Sequence, residues 1–164
     1  MVSQLVPYQR IDLVVTAFNR SGKRVVIIGD GPERQKLERL AGANIRFLGF
    51  QSEAAVIEAM QRCEAFVFAG EEDFGIVMAE AQACGTPVIA LGKGGAREIV
   101  ADGTTGTLFE EESADSLLEA LDRFQRVRFH SSAIRASALK FGHQRFLQDF
   151  SQFVDERTRN SFRP

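Results

Sequence analysis

The sequence has few of the residues that mark disulfide-rich, membrane-spanning or nucleic-acid-binding proteins. Its 164 residues include two cysteines and no tryptophan, and the net charge is −2. Cys63 and Cys84 lie in apolar helical context and show no zinc or haem spacing, so we predict two buried free thiols rather than a disulfide, and no metal site. No apolar run reaches the length of a membrane span. The small negative charge gives no support for a nucleic-acid partner.

The apolar content is that of a protein with one hydrophobic core. Hydrophobic residues make up 45% of the chain, and the length suits a single domain over residues 1–164. The first residues show no basic start followed by an apolar stretch, so we expect no signal peptide. Together with the free thiols, this favours a cytoplasmic location.

Short apolar segments alternate with amphipathic segments along the chain. The apolar segments predict strands at residues 24–28, 45–48, 65–68, 87–90 and 107–109. The segments between and after them predict helices at residues 9–20, 32–41, 53–62, 97–100, 115–124, 132–140 and 143–157, and residues 158–164 are expected to fray. This order predicts an α/β fold, a Rossmann-like parallel sheet with helices on both faces.

An acidic loop and a further helix follow the third predicted strand. The helix has about ten residues and ends at Gly85. The loop lies at the carboxyl end of a strand, where α/β sheets bind ligands, and the helix start offers free N–H groups to phosphate or sugar oxygens. Because Glu80 can lean back toward the loop, we predict that Glu72 and Glu80 flank one small volume. Gly75 would let a ligand approach the backbone closely.

These residues resemble a known family. The stretch from Glu72 to Glu80, followed by the segment 83–90, is similar to the E-x7-E motif of retaining glycosyltransferases with the GT-B fold, of the glycosyltransferase family 4 type. The similarity continues in residues 29–33, 47–49 and 94–106 and spans roughly residues 1–125. It implies one half of a GT-B fold, the half that binds a nucleotide diphosphate sugar. An N-terminal acceptor-binding domain would then be missing from this chain.

The resemblance implies a role for each matched position. Glu72 would be catalytic, touching the donor sugar or steadying positive charge at its anomeric carbon, and Glu80 would accept hydrogen bonds from the ribose. Phe50 and Gln51 would hold the base. The implied donor-binding positions are Gly29, Gly31, Phe50, Gln51, Phe74, Gly75, Ile76, Val77 and Glu80. Each position also has a plainer alternative. Glu72 and Glu80 could be solvated acids, the segment 29–31 a tight turn, and Phe50 and Gln51 part of an ordinary loop. The donor is a substrate, so no cofactor is expected.

The sequence departs from the family at two positions. The family has an arginine and a lysine that clamp the donor's diphosphate, and Gln4 and Gln9 stand there instead. Glutamine can donate a hydrogen bond but carries no charge. Arg10 is adjacent, but on a helix it would point about 100° away from Gln9.

Three functions stay open at this point. The first is the donor-binding domain of a retaining hexosyltransferase of polysaccharide biosynthesis, inactive as an isolated domain; the full-length enzyme could be peripheral at the inner membrane face. The second is a non-catalytic nucleotide- or sugar-binding regulatory domain that has lost the basic clamp. The third is a dinucleotide enzyme on a plain Rossmann sheet, which the missing third glycine after Gly29 and Gly31 disfavours.

The predicted tail helix carries an apolar stripe. Its members recur at helical spacing and are Phe146, Leu147, Phe150, Phe153 and Val154. Left uncovered, they would form a patch at the limit that monomers tolerate. We therefore predict either self-association through this helix or a tail folded onto its own core.

Overall fold

The computed structural model describes residues 1–161, with side chains described through residue 158. The described residues form an α/β domain, as predicted. Its strands are β1 (Val25–Ile28), β2 (Ile45–Gly49), β3 (Phe66–Phe68), β4 (Val88–Leu91) and β5 (Gly106–Phe109). Its helices are α1 (Ile11–Ser21), α2 (Arg34–Leu40), α3 (Glu53–Arg62), α4 (Ile76–Ala83), α5 (Ala96–Ile99), α6 (Ala114–Gln125), α7 (Ser131–Ala138) and α8 (His143–Ser161).

All pairings between the named strands are parallel, but they form two sheets where one was predicted. β1 pairs with β2, and β3, β4 and β5 form a second sheet with β4 in the middle. The first residues of the chain run between the sheets. The N–H of Ser3 donates to the carbonyl of Ile28 at 3.0 Å, and Val2 packs against the cluster that contains Phe66 and Phe68. This N-terminal segment, residues 1–5, therefore contacts both sheets.

Most helix boundaries follow the sequence signals. Ser52 and Ser113 cap α3 and α6, where their hydroxyls accept hydrogen bonds from backbone N–H groups in the first turn. Two predicted starts are wrong. Pro32 lies in the turn after β1, and α2 begins at Arg34. Gln9 lies in a 3₁₀ turn, Pro7–Gln9, which a left-handed Arg10 (φ 52°) separates from α1.

The core has two parts, which lie on opposite faces of the β3–β5 sheet. Because side chains alternate along a strand, Val67 and Ile89 join one cluster with α1 and α6. Phe66 and Val88 join the other, which includes Met78 of α4. Helices therefore cover both faces of the β3–β5 sheet, and the carboxyl ends of its strands stay open for a site.

The tail helix does not fold onto this core. It begins at His143, as predicted, and contacts mainly the 3₁₀ turn before it, Leu139–Phe141. Its apolar side chains stay exposed, and Phe146 is 61% exposed. The predicted frayed end is helical through Ser161, and its last three residues lie outside the described part. Within the described residues, no helix has both the length and the apolar character needed to span a membrane.

The two cysteines are free but are not both buried as predicted. Cys63 is exposed and Cys84 is half-buried. Cys63 ends α3 and Cys84 ends α4, so both lie at helix ends rather than inside the core. Desolvation raises the pKa of both thiols, so they are mostly protonated at neutral pH.

Candidate donor-binding site

A cavity of about 540 Å³ opens at the carboxyl ends of β1, β2 and β3. This edge of a parallel sheet is the usual ligand position in α/β folds. The wall comes from four stretches of chain: the first nine residues, the turn after β1, the β2–α3 connection, and the segment from β3 into α4. The lining residues are Val2, Ser3, Gln4, Tyr8, Gln9, Ile28, Gly29, Asp30, Phe50, Gln51, Val56, Phe68, Glu72 and Val77.

The glycines after β1 contact the N-terminal segment. Gly29 has φ 129°, and a Cβ there would overlap the carbonyl oxygen of Ser3. A Cβ at Gly31 would meet the carbonyl of Leu5, whose N–H donates to the carbonyl of Asp30 at 3.0 Å. Both glycines are needed for this close backbone packing. Gly29 also lines the cavity, whereas Gly31 does not.

Glu72 and Gln9 meet in the cavity wall. The Nε2 of Gln9 donates to the Oε1 of Glu72 at 2.5 Å, and the Ser3 hydroxyl lies 3.0 Å from the Oε1 of Gln9. Gln9 is only 5% exposed, so its amide is a buried polar group that the two neighbours satisfy. Gln4 is exposed and lines the cavity, and its side chain makes no hydrogen bond within the described residues. The two glutamines therefore have different surroundings.

A second cavity, of about 650 Å³, adjoins the first and contains Glu80. The two cavities share Phe50, Gln51 and Val56 in their linings. Phe50 is 86% exposed, so its ring is free to pack against a ligand. The two acids thus lie on neighbouring cavities rather than around the single small volume that the spacing predicted. Gln51 donates to the carbonyl of Leu48 at 2.8 Å, which orients its amide.

The start of α4 has no cap from a described side chain, and the side chains on either side of its N-cap residue are exposed. Gly75 is the N-cap with φ 82°, and no side chain of the described residues caps the helix. A helix start without a cap leaves N–H groups free for a ligand. The side chain of Ile76 is 63% exposed and that of Phe74 is 48% exposed; Val77 is the one that lines the cavity. Phe74 packs edge-on against Phe141, with ring centroids 5.6 Å apart.

A pair of glycines after β4, Gly94 and Gly95, holds the acidic loop. The N–H of Gly95 donates to the carbonyl of Glu72 at 2.8 Å. A Cβ at Gly94 would overlap the same carbonyl, and one at Gly95 would overlap the carbonyl of Phe74. These glycines therefore fix the backbone of the loop. Sequence reasoning also missed Ser3, Tyr8 and Asp30 as lining residues, because nothing in a linear pattern shows that the chain start folds beside β1.

The cavity is acidic. The N–H of Gly31 and, next, the Arg34 guanidinium lower the pKa of Asp30, so this carboxylate is ionised at neutral pH. Among the described residues that line the first cavity, none is lysine or arginine, whereas Arg135 lines the second. Arg10 does not line the first cavity, and its guanidinium pairs with Asp12 and Glu112. No group of three or more potential metal ligands occurs in the part of the chain that the structure describes.

Solved structures of glycosyltransferases share this fold. A lipopolysaccharide outer core galactosyltransferase in its apo form superimposes with a TM-score of 0.84 at 19% identity, over 95% of this chain and 48% of that one. Anabaena HepE in complex with UDP-glucose superimposes with a TM-score of 0.70 at 25% identity, over 97% of this chain and 48% of that one. The fold is therefore one half of a GT-B glycosyltransferase.

Sequence comparison identifies the family. Residues 1–138 match the profile of the family described as Glycosyl transferases group 1, and the chain belongs to that family. An uncharacterized glycosyltransferase of Methanocaldococcus jannaschii is 34% identical over 125 residues, 73% of this chain and 36% of that protein. The D-inositol 3-phosphate glycosyltransferase of Mycolicibacterium smegmatis is 32% identical over 159 residues, 87% of this chain and 36% of that protein. The chain thus spans about a third of the length of these curated relatives.

Proposed function

We propose that this chain is the donor-binding domain of a glycosyltransferase that moves a sugar from a nucleotide diphosphate sugar to an acceptor with retention of configuration. The observation that carries the proposal is the pair of adjoining cavities at the carboxyl ends of β1–β3. Glu72 lies in the wall of one cavity and Glu80 in the other, and Phe50 is exposed in the wall that they share.

The proposed roles follow from this placement. Glu80 accepts hydrogen bonds from the ribose, and the base packs beside Phe50 and Gln51. The diphosphate lies at the uncapped start of α4, whose partial positive charge attracts it. Glu72 contacts the sugar in the first cavity. The donor is a substrate, and the proposal requires neither a metal nor a cofactor.

The proposed enzyme needs a second domain. In a GT-B enzyme the site lies in the cleft between the two halves, so one half alone can neither orient the acceptor nor exclude water from the reaction. We therefore expect no transfer by the 164-residue chain alone. We also propose that the protein is cytoplasmic, as expected from its free thiols.

A binding experiment tests the proposal. Isothermal titration of the chain with UDP, UDP-glucose, GDP and GDP-mannose covers the donor types that occur with the similar proteins, since HepE was solved with UDP-glucose and a Mycolicibacterium smegmatis relative is named a GDP-mannose-dependent alpha-mannosyltransferase. We expect saturable binding of one nucleotide pair. Absence of binding for all four would overturn the proposal.

The alternative is a non-catalytic nucleotide- or sugar-binding regulatory domain. The first cavity favours it, because its described lining includes no lysine or arginine, so a leaving diphosphate there would have no cation in the cavity wall. The two functions differ in one measurement. When an acceptor-binding half from a similar enzyme is added in trans or fused ahead of the chain, product formation above donor hydrolysis supports the transferase. Donor binding without transfer supports the regulatory domain.

A further inference from the structure

Gln9 is the most buried polar side chain in the cavity wall. Its amide is held on two sides, by the bond that its Nε2 donates to Glu72 at 2.5 Å and by the Ser3 hydroxyl 3.0 Å from its Oε1. Behind it lies Gly70, where a Cβ would come within 3.1 Å of the Gln9 Oε1. The side chain therefore has one well-defined position.

Glu72 is correspondingly fixed at both its backbone and its side chain. Its carbonyl accepts from Gly95 at 2.8 Å, and its Oε1 accepts from Gln9. Within the part of the chain that the structure describes, its Oε2 accepts no hydrogen bond. One carboxylate oxygen is thus occupied, and the other is available to the cavity that Glu72 lines.

We propose that Gln9 is a positioning residue that orients Glu72 toward the hydroxyls of the donor sugar, rather than a donor to the diphosphate. This inference rests on the proposed function, and it adds the residue that sets the geometry of the sugar contact. Because the amide is neutral, it fixes the carboxylate without placing a positive charge beside it, and the second carboxylate oxygen can accept hydrogen bonds from the sugar hydroxyls. A side chain held in its binding orientation also loses less freedom when the ligand arrives.

The inference predicts a selective effect of Gln9→Met, which keeps the length of the side chain and removes the amide. We expect this variant to bind UDP-glucose or GDP-mannose about three- to tenfold more weakly than wild type, the range of one neutral hydrogen bond, and to bind UDP or GDP within about twofold of wild type. Gln152→Met is the matched control, since it removes an exposed amide-to-carboxylate bond on α8, from Gln152 to Glu156. Equal losses for the sugar nucleotide and the nucleotide would indicate a merely structural role and overturn the inference.

Two further readouts separate this inference from the proposed function. Gln9→Met should have no additional effect on sugar-nucleotide affinity in a Glu72→Ala background, because the two residues act through one bond. In the ligand-free protein, the NMR signals of the Gln9 side-chain amide should move in Glu72→Ala and stay unchanged in Gln152→Met. An unmoved amide would show that the bond is absent and overturn the inference even if donors bind. A protein that binds none of the four nucleotides would overturn the proposed function and the sugar role together, while the amide signals would still report the bond.

Discussion

Two glutamates of one motif have different surroundings at the scale of single residues. Glu72 is half-buried and bonded to Gln9, whereas Glu80 is exposed in the adjoining cavity. A residue that contacts the ribose acts on every ligand with that ribose. A residue that contacts the sugar acts only when the sugar is attached. The two acids should therefore be distinguishable by the choice of ligand.

We expect Glu80→Ala to weaken nucleoside diphosphate binding by about 1.5–3 kcal/mol, the range for a hydrogen bond to a charged group. Glu72→Ala should leave the affinity for the nucleoside diphosphate near that of wild type and weaken binding of the sugar nucleotide. Calorimetry on both variants with UDP and UDP-glucose, or with GDP and GDP-mannose, measures both effects. Equal affinities of wild type and Glu80→Ala for the nucleoside diphosphate would show that Glu80 is a surface residue.

The two substituted clamp positions call for different changes. Gln4 is exposed at the cavity, so Gln4→Arg should add a cation near the diphosphate and raise affinity for UDP or GDP by roughly 1 kcal/mol, about fivefold. Gln9→Lys should gain less, because the new ammonium would pair with Glu72. The gain of Gln4→Arg should shrink as salt rises. Gln35→Arg, on the exposed face of α2, adds the same charge away from the cavity and is the control. If Gln35→Arg raises the affinity for UDP or GDP as much as Gln4→Arg does, Gln4 does not lie near the phosphates.

Sequence reasoning reached some residues of the site and not others. Glu72, Phe50, Gln51 and Val77 follow strands or begin a helix, and strand ends can be read from the apolar pattern. The bond from Gln9 to Glu72 joins residues 63 positions apart, so it depends on how the chain start packs. No local pattern contains that information, and the similarity to the family predicted a phosphate contact for Gln9 instead.

At the scale of elements, the acidic loop depends on the turn after β4. Gly95 has φ −60°, which any residue can adopt, so its lack of a side chain matters for space alone. The loop backbone fills that space, with the carbonyl of Phe74 where a Cβ would be. A methyl group at this position would therefore push on the loop that carries Glu72.

We expect Gly95→Ala to destabilise the fold by about 1–3 kcal/mol, as overpacking does, and to weaken sugar-nucleotide binding. Gly142→Ala is the matched control, since Gly142 has φ −70° and a Cβ there would meet its nearest neighbour, the carbonyl oxygen of Leu139, at 3.2 Å. Thermal unfolding measures the stability of both variants, and calorimetry measures their affinity for the sugar nucleotide. A Gly95→Ala protein as stable as wild type, with unchanged donor affinity, would show that the loop shifts freely.

The elements themselves were largely predictable, for a physical reason. Strands here are short apolar runs and most helices are amphipathic, so type and order follow from periodicity. The errors occur where tertiary contacts override local signals. Pro32 could have started α2, but the turn before that helix packs on the N-terminal segment, where the Glu33 N–H donates to Leu5. The helix therefore starts later.

At the scale of the whole molecule, the tail helix is the least covered element. Phe146 and Phe150 stack at 5.8 Å on a face that the described part of the chain leaves exposed. Of the two outcomes predicted from sequence, the tail folded onto its own core is wrong, and self-association stays a prediction. Exposed aromatic stripes of this size mark interaction surfaces.

We therefore expect the 164-residue chain to self-associate, because pairing of two α8 helices would bury their apolar faces. Phe150→Asp should abolish this, whereas Leu40→Asp, an exposed leucine at the end of α2, should not. Sedimentation velocity over a concentration series measures the effect. A wild-type chain that remains monomeric at every concentration would contradict the prediction. If an added acceptor-binding half suppresses self-association, a second copy of the chain and that half use the same face of α8.

The first cavity takes its wall from residues 2 to 77, whereas β5 and α6–α8 contribute none of its lining residues. A ligand that binds only the folded state raises the free energy needed to open the structure around it. Amide hydrogen exchange with saturating ligand should therefore slow most in the N-terminal segment, in the turn after β1 and at the start of α4. Exchange in α8 should keep its ligand-free rate, so the protein would show two levels of protection along one continuous chain.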